Sequence, residues 1–489
     1  MTGGCTGGVN PQTGLVQATD GNFYGTTGQG GPEGGTIYKI TPGGKLTMLY
    51  GFCYQYPLTD SCDDGLVPEA GLVQASDGNF YGTTSEGGLW GGGTLFRITL
   101  EGSLSTIYAF CSQGSLETEC LDGYSPYGVL VQGSDGDLYG TTMLGGPKNA
   151  GTVFKISLSG ALTTLHSFDD TDGDEPYAGL VQGTDGNFYG TTFGGGAYGD
   201  GAIFRITPEG TLTTLYSFCA QSGCTDGAEP VAGLVQGRDG NFYGTTTSGG
   251  TAGLWYYGTV FRVTPEGTLT TLYSFCSQFD LVTGLCMDGI YPYAGLVQGS
   301  DGNFYGTTAD SITETEAYWL ETEFGGTVFK ITPGGSLTTL YSFCLKPYVV
   351  CADGNNPGAA LVQGTDGNFY GTTAMGGVNP MDFSNQGFGT VFKLSTGIGA
   401  FVEPQPTSGP KGESVVILGN DLTGATSVSF GGTAARFRVV SSTEIKTNVP
   451  KGARTGEIRV TTPRGTLTSN MPFRVTECAA APCMLPVEP

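Results

Sequence analysis

The sequence predicts an all-β protein: a seven-bladed β-propeller of four-stranded blades over residues 1–401, a small β-sandwich over 402–475 and a tail over 476–489. Three observations carry that reading. Nearly the same nine residues recur seven times, as TDGNFYGTT from Thr19, SDGNFYGTT from Ser76, SDGDLYGTT from Ser134, TDGNFYGTT from Thr184, RDGNFYGTT from Arg238, SDGNFYGTT from Ser300 and TDGNFYGTT from Thr365. The motif aspartates lie 50 to 65 residues apart, a period that suits four strands per copy. After Val402 the repeat stops and a different set of short strand-like runs begins.

Within the fourth copy the strands read GLVQ from Gly179, NFYGTT from Asn187, AIFRIT from Ala202 and LTTLYSF from Leu212. Apolar residues fall on both faces, as at Phe188 and Tyr189, which suits a sheet packed between two others. Asp-Gly at 20 and 21, and at six equivalents, supplies the positive φ angles of a tight two-residue hairpin turn. Thr-Pro-Glu-Gly at 207 to 210 sets a second turn through proline and glycine. A β-solenoid would require shorter, more uniform coils.

The seventh copy runs GTVFKLST from Gly389 and has no LTTLYSF strand, while CTGGVNPQTGLVQ from Cys5 matches CTDGAEPVAGLVQ from Cys224. The strand that closes the ring, and an export signal, are therefore expected upstream of Met1; alternatively, residues such as Ala400 to Val402 close the last blade.

Cysteines bracket one loop per copy: Cys53 with Cys62, Cys111 with Cys120, Cys219 with Cys224, Cys276 with Cys286, and Cys344 with Cys351. The corresponding loop from Asp169 to Ala178 has lost both members, as a disulfide predicts. Local disulfides in an oxidising compartment are expected, in preference to a metal site, because neither CxxC pairs nor a histidine cluster accompany them. Cys478 and Cys483 bracket a further small loop in the tail.

Of 489 residues only 13% are charged, yet 44 acidic against 20 basic side chains leave a net charge of −24. Such a surface repels phosphate backbones, which argues against nucleic-acid binding. No run approaches the ~18 apolar residues of a membrane span.

Variable loops on a rigid frame are where binding evolves, and in each copy the second-to-third connections carry the variety. All three tryptophans, Trp90, Trp255 and Trp319, lie there, with Tyr256, Tyr257 and Tyr318 beside the last two. Among acids such as Glu86, Glu316 and Glu321, these rings suit stacking on a glycan or anchoring a protein partner. The alternative is that they fold back over neighbouring loops.

His166 is the only histidine and fills a slot held elsewhere by Tyr50, Tyr108, Tyr216, Tyr273 and Tyr341, so a structural substitution is expected and no catalytic residue is assigned. Asp64, Asp122, Asp172, Asp226, Asp288 and Asp353 each open an Asp-Gly-x-x-Pro step, as stabilisers of their own turns or as a ring of acids at an axial channel. In DDTDGDEP from Asp169, Asp170, Asp172 and Asp174 alternate as oxygen ligands do in calcium loops. Ca²⁺ there would staple the one loop without cysteines; no other cofactor is expected.

The GLV-Q-x-[ST]-DGN-x-YGTT units resemble the GloVer tandem repeats of bacterial "choice-of-anchor" proteins, over about residues 5 to 400. The resemblance implies export and display at the cell surface, and it implies no activity. The ending ECAAAPCMLPVEP departs from the sorting signals of such proteins.

The second domain opens on prolines 404, 406 and 410 and continues through VVILG from Val415, SVSFGG from Ser427, ARFRVV from Ala435, EIRVTT from Glu457 and PFRV from Pro472. Several short strands in so few residues argue for a sandwich, and PTSGPKGESVVILGNDLTGATSVSFGG from Pro406 resembles an IPT/TIG immunoglobulin-like domain. Its net charge of +4 contrasts with −26 over residues 1–401; opposite fields draw it toward a propeller face, its own or a neighbour's, and the alternative is two solvated surfaces of unlike composition.

The expected function is binding or structural, toward a glycan or surface protein. The alternatives are a polysaccharide-processing enzyme using carboxylates, and self-association through an open blade edge.

Overall fold

The computed structural model describes residues 8–31, 34–54, 62–116, 119–251, 257–281, 285–312, 325–344, 351–378 and 387–476. Every regular element among them is a strand. In the fourth copy Val181–Gln182, Phe188–Thr192, Ala202–Ile206 and Leu212–Ser217 form one antiparallel sheet in sequence order. Four other copies repeat it. The sixth adds Phe279–Asp280 and Leu285–Ile290 to its sheet. The seventh has three strands, Val362–Gln363, Phe369–Thr373 and Thr390–Leu394.

The Asp-Gly hairpin differs from the two-residue turn expected. The Gly21 N–H donates to the Ala18 carbonyl and the Ala18 N–H to the Asn22 carbonyl. Of Asp20 and Gly21, only the glycine has positive φ, at 79°. This is a three-residue loop in which a left-handed glycine follows an ordinary turn. The aspartate stays right-handed because its carboxylate folds back over the hairpin: Asp20 Oδ1 accepts the Asn22 N–H at 3.0 Å and Oδ2 accepts the Tyr24 hydroxyl at 2.8 Å. All seven copies repeat the aspartate–tyrosine bond.

Those tyrosine rings join one sheet to the next. Tyr139 stacks on Phe188 at 3.9 Å, Tyr189 on Phe242 at 3.9 Å, Tyr243 on Phe304 at 4.0 Å and Tyr305 on Phe369 at 4.0 Å. Further out, the phenylalanine after each fourth strand meets the next sheet edge-on, as Phe218 does Phe261 at 5.2 Å. Each inter-sheet gap thus holds its own buried cluster.

First strands crowd together at the inner edge. A Cβ on Gly179 would fall 2.2 Å from the Val129 carbonyl oxygen of the preceding copy. The first-strand glutamine spans the same gap: Gln236 donates to the Gly240 carbonyl of its own hairpin and accepts the Thr184 N–H of the previous one. This bridge occurs between each consecutive pair of copies. It also joins the last to the first, Thr365 N–H to Gln17 at 2.8 Å, where Phe23 meets Tyr370 at 4.1 Å. Phe401 N–H donates to the Thr365 carbonyl and Val402 N–H to Thr468, so residues 401 and 402 do not pair with Thr390–Leu394 as the alternative closure required.

The C-terminal sandwich packs the sheet of Glu403–Gln405, Ser414–Leu418, Glu444–Asn448 and Phe437–Val439 against that of Thr433–Ala435, Ser427–Phe430, Ile458–Thr462 and Gly465–Thr468. Val415, Ile417, Phe430, Ile445, Val460 and Phe473 fill its core. It rests on the Asp-Gly hairpins. Asn420 donates to the Thr365 hydroxyl at 2.8 Å, Thr443 to the Thr19 carbonyl at 3.2 Å, and Arg474 to the Gly183 carbonyl at 3.4 Å. From the other side, Arg238 donates to the Asn470 carbonyl. These hairpins belong to the seventh, first, fourth and fifth copies.

Candidate functional site

Each first strand has a hairpin at one end and a Gly-x-x-Pro step at the other, led by aspartate in six copies and by Gly7 in the first, so these steps gather on the face opposite the sandwich. The residue before each proline is left-handed: Asn10, Val67, Ser125, Glu175, Glu229, Tyr291 and Asn356 have φ between 51° and 62°. For a β-branched valine this is a strained conformation. Hydrogen bonds on both sides hold it. Val67 N–H donates to Gly34 and its carbonyl accepts from Ser85 and Glu69; Glu175 N–H donates to Ala150 and its carbonyl accepts from Phe193 and Tyr177.

Just beyond these corners stand Glu69, Tyr127, Tyr177 and Tyr293, of which the first three come together across copies. Tyr127 and Tyr177 lie 5.6 Å apart and Tyr177 meets Phe193 at 5.6 Å. Burial raises the Tyr127 hydroxyl, and the Glu69 carboxylate beside it adds to this. Burial raises the Glu69 carboxyl above its ordinary value and Glu86 adds to this, against the Tyr127 hydrogen bond. Burial likewise raises Glu175, with Asp174 adding, and Asp174, with Asp170 adding. Tyr293 is 47% exposed, stacked near Tyr291 at 6.2 Å, with burial, Glu229 and Asp310 raising its hydroxyl. The arrangement sets aromatic faces among carboxyls that burial raises.

The sequence-predicted rings are distributed differently. Trp90 lies on the same face, 51% exposed beside Leu89, and makes no ring contact among the described residues. Tyr257 is instead 5% exposed, in a cluster with Val260, Phe275, Cys276, Cys286 and Ile290. It is turned inward because its loop closes on the next corner, the Tyr257 carbonyl accepting the Tyr291 N–H. Trp255, Tyr256, Tyr318 and Trp319 lie outside the described residues, as do Cys478 and Cys483. Tyr127, Tyr177 and Tyr293 were missed because the residue after each proline varies, being Gln12, Glu69, Tyr127, Tyr177, Val231, Tyr293 and Gly358. The signal available was positional: three of seven are tyrosine next to a Gly-x-x-Pro step that all seven copies share.

The step aspartates do not open onto the axis. Asp226, fully buried, accepts the Tyr216 hydroxyl at 2.7 Å and the Ala220 N–H at 3.0 Å, tying the cysteine loop to the fourth strand. Asp64, Asp122, Asp288 and Asp353 do the same. His166 occupies the tyrosine's place, its Nε2 2.7 Å from Asp172 Oδ2. The five cysteine pairs of the repeats are joined as disulfides. Asp172 is thus engaged by His166 and by the Asp169 N–H, leaving Asp170 and Asp174 as the carboxylates on which calcium at this loop depends. Among the described residues the one compact set of potential metal ligands is Asp200 with Cys219 and Cys224, and those cysteines form a disulfide.

Comparison with known proteins agrees with the repeated strand text. The Gloeobacter/Verrucomicrobia repeat matches residues 1–120 and 116–316, and the IPT/TIG domain matches residues 402–475. The protein belongs to the Gloeobacter/Verrucomicrobia repeat family. No curated protein matches this member. Among solved structures, the repeat protein is similar to a fungal alcohol oxidase of the AA5 family, in complex with copper, at 12% identity and TM-score 0.50 over 97% of this chain and 98% of that one. The GH74 enzyme of Niastella koreensis aligns at 13% identity and TM-score 0.47 over 97% and 74%. The first likeness concerns the fold alone. Among the described residues of the repeat protein no helix is long and apolar enough to cross a membrane.

Proposed function

We propose that the seven copies are the blades of one closed propeller, displayed outside the cell, that binds a glycan or surface protein at the mouth opposite the sandwich. The observation that carries this is the Tyr127–Tyr177 pair, 5.6 Å apart beside Glu69 and held on strained corners of a rigid ring. Paired tyrosines offer flat apolar faces with polar rims, as sugar rings require. The carboxylates of Glu69, Glu86, Asp174 and Glu175 disfavour uronates and sulfates, so the ligand expected is uncharged or amine-bearing. The IPT/TIG domain, on the far face, leaves this mouth clear. The five disulfides are in keeping with an oxidising compartment.

A glycan array with the intact protein tests the reading, together with a Tyr127→Ala, Tyr177→Ala double variant and a Trp90→Ala variant. Binding lost in the double variant, with an unchanged melt, is the expected result. Binding indifferent to all three substitutions would refute it. Hydrolysis is the second reading, favoured by the burial that raises the carboxyls of Glu69 and Glu175, the direction a general acid requires. Reducing ends released from a polysaccharide by the protein, and not by Glu69→Gln, would decide for it.

A further inference from the structure

We infer, on the strength of the binding reading above, that the mouth takes a linear, amine-bearing glycan laid along one arc of its rim, from the second copy to the sixth. The rim is not uniform. After the proline of each step the second to sixth copies carry Glu69, Tyr127, Tyr177, Val231 and Tyr293, whereas the seventh and first carry Gly358 and Gln12. The left-handed corners divide in the same way: Glu175, Glu229 and Tyr291 lie within the arc, and the first and seventh copies have the uncharged Asn10 and Asn356. Gln12 donates to the Asn10 side chain at 3.0 Å, so these two amides are turned on each other.

Within the arc, rings and acids meet at two stations. At the first, Tyr127, Tyr177 and Phe193 follow one another at 5.6 Å spacings, with Glu69 beside Tyr127. At the second, Tyr293 is half exposed and stacks near Tyr291 at 6.2 Å, with Glu229 and Asp310 acting on its hydroxyl. The Ser248 hydroxyl donates to the Glu229 carboxylate at 2.6 Å, and the Thr247 N–H donates to the Glu229 carbonyl. Both stations straddle a boundary between copies, the acid coming from one step and the tyrosine from the next.

A single sugar ring covers one station only. Two stations on one arc, with the apolar Val231 between Tyr177 and Tyr293, suit a chain whose successive rings stack on aromatic faces. Joining two weak stations through one ligand raises its affinity above that for either. Charge selects among such chains. Acids flank both stations, while Lys148 is the sole basic side chain among the described residues of the loops on this face. Those acids repel one another, Asp174 raising the Glu175 carboxyl and Asp170 raising Asp174. An ammonium group relieves that repulsion, and a neutral sugar leaves it in place.

Calorimetry with the intact protein, in slightly acidic buffer where sugar amines are charged, compares glucosamine oligomers from the dimer to the hexamer with their fully N-acetylated counterparts. The glucosamine hexamer is expected to bind roughly tenfold or more tighter than the dimer, and tighter than the acetylated hexamer by a margin that shrinks in salt. Tyr293→Ala, at an unchanged melt, should remove most of the gain with length, and Glu229→Gln most of the preference for the amine. Equal affinities of dimer and hexamer, or an acetylated hexamer bound as tightly, would overturn the proposal while leaving the Tyr127–Tyr177 site intact. Hexalysine bound as tightly as the glucosamine hexamer, with no loss in Tyr293→Ala, would overturn it in favour of a basic peptide. Binding of neither oligomer series overturns it as well, and only a glycan array empty of every ligand carries the binding reading down with it.

Discussion

Thr365 and Gln17, 348 positions apart, share a hydrogen bond of 2.8 Å from the threonine N–H to the glutamine side-chain oxygen. The same bond links Thr184 to Gln236 at 2.9 Å, 52 positions apart. A linear stack would make the short-range bond and leave the long-range one unmade. Gln17→Ala and Gln236→Ala are therefore expected to destabilise the protein alike, by about 1–2 kcal/mol each for a lost bridge. Urea unfolding of the two variants checks this; a cost at Gln236 alone would mean that the join is not made.

The buried tyrosine of the motif has two jobs that substitution separates. Tyr189→Phe keeps the 3.9 Å stack on Phe242 and loses the hydroxyl bond to Asp185, for about 1–2 kcal/mol. Tyr189→Ala also opens a cavity between two sheets and is expected to cost about 3–5 kcal/mol. Thermal melts distinguish the two, and equal losses would mean that stacking contributes little.

Acid should weaken the ring through its motif aspartates. Burial pushes the Asp135 carboxyl up, but hydrogen bonds from Lys155, Tyr139 and the Asp137 N–H outweigh it and hold it below its ordinary value of 3.8. Asp20 and Asp366 follow the same pattern, with Lys39 and Lys393. A carboxyl depressed on folding contributes stability that is present above its unfolded value and lost as pH falls through the folded one. Lys155→Met should thus be less stable near neutral pH, lose less on acidification, and converge on the parent protein in strong acid. Unfolding curves at several pH values measure this, and parallel pH profiles would contradict it.

The repeat's strands were legible because apolar pairs such as Phe188 and Tyr189 alternate with turn residues at a fixed period, and the loss of both cysteines around Asp169 anticipated the disulfides. The side-chain logic was not. The Asp20–Tyr24 bond is a contact between residues four apart on a hairpin, which no periodicity reports. The left-handed corners were hidden because Val67, Ser125, Glu175 and Tyr291 share no side-chain property; backbone bonds to the preceding copy impose the conformation. For Tyr257 the sequence leaves open whether the ring faces solvent or folds back, because loop length says nothing of which way a ring turns; it is buried. The opposite charges of the two parts left docking and two separately solvated surfaces equally open, and the place of contact includes Arg238, where six other copies carry serine or threonine.

Arg238→Ser restores the residue type of the other copies and removes the donor to Asn470. The sandwich is then expected to loosen from the hairpin face, with a larger radius of gyration by small-angle scattering and faster proteolysis near residues 395–402, at an unchanged melt of the ring. Identical scattering would show that Asn420, Thr443 and Arg474 hold the domain without it.

The account depends on first strands from the two ends of the repeat array lying side by side. A Cβ on Gly14 would sit 3.7 Å from that of Ala360, within the spacing a disulfide requires. Gly14→Cys with Ala360→Cys, oxidised mildly at low protein concentration and read by mass spectrometry, should give an intramolecular 14–360 crosslink. Failure to form that link in a folded protein, or its formation only between molecules, would contradict the ring.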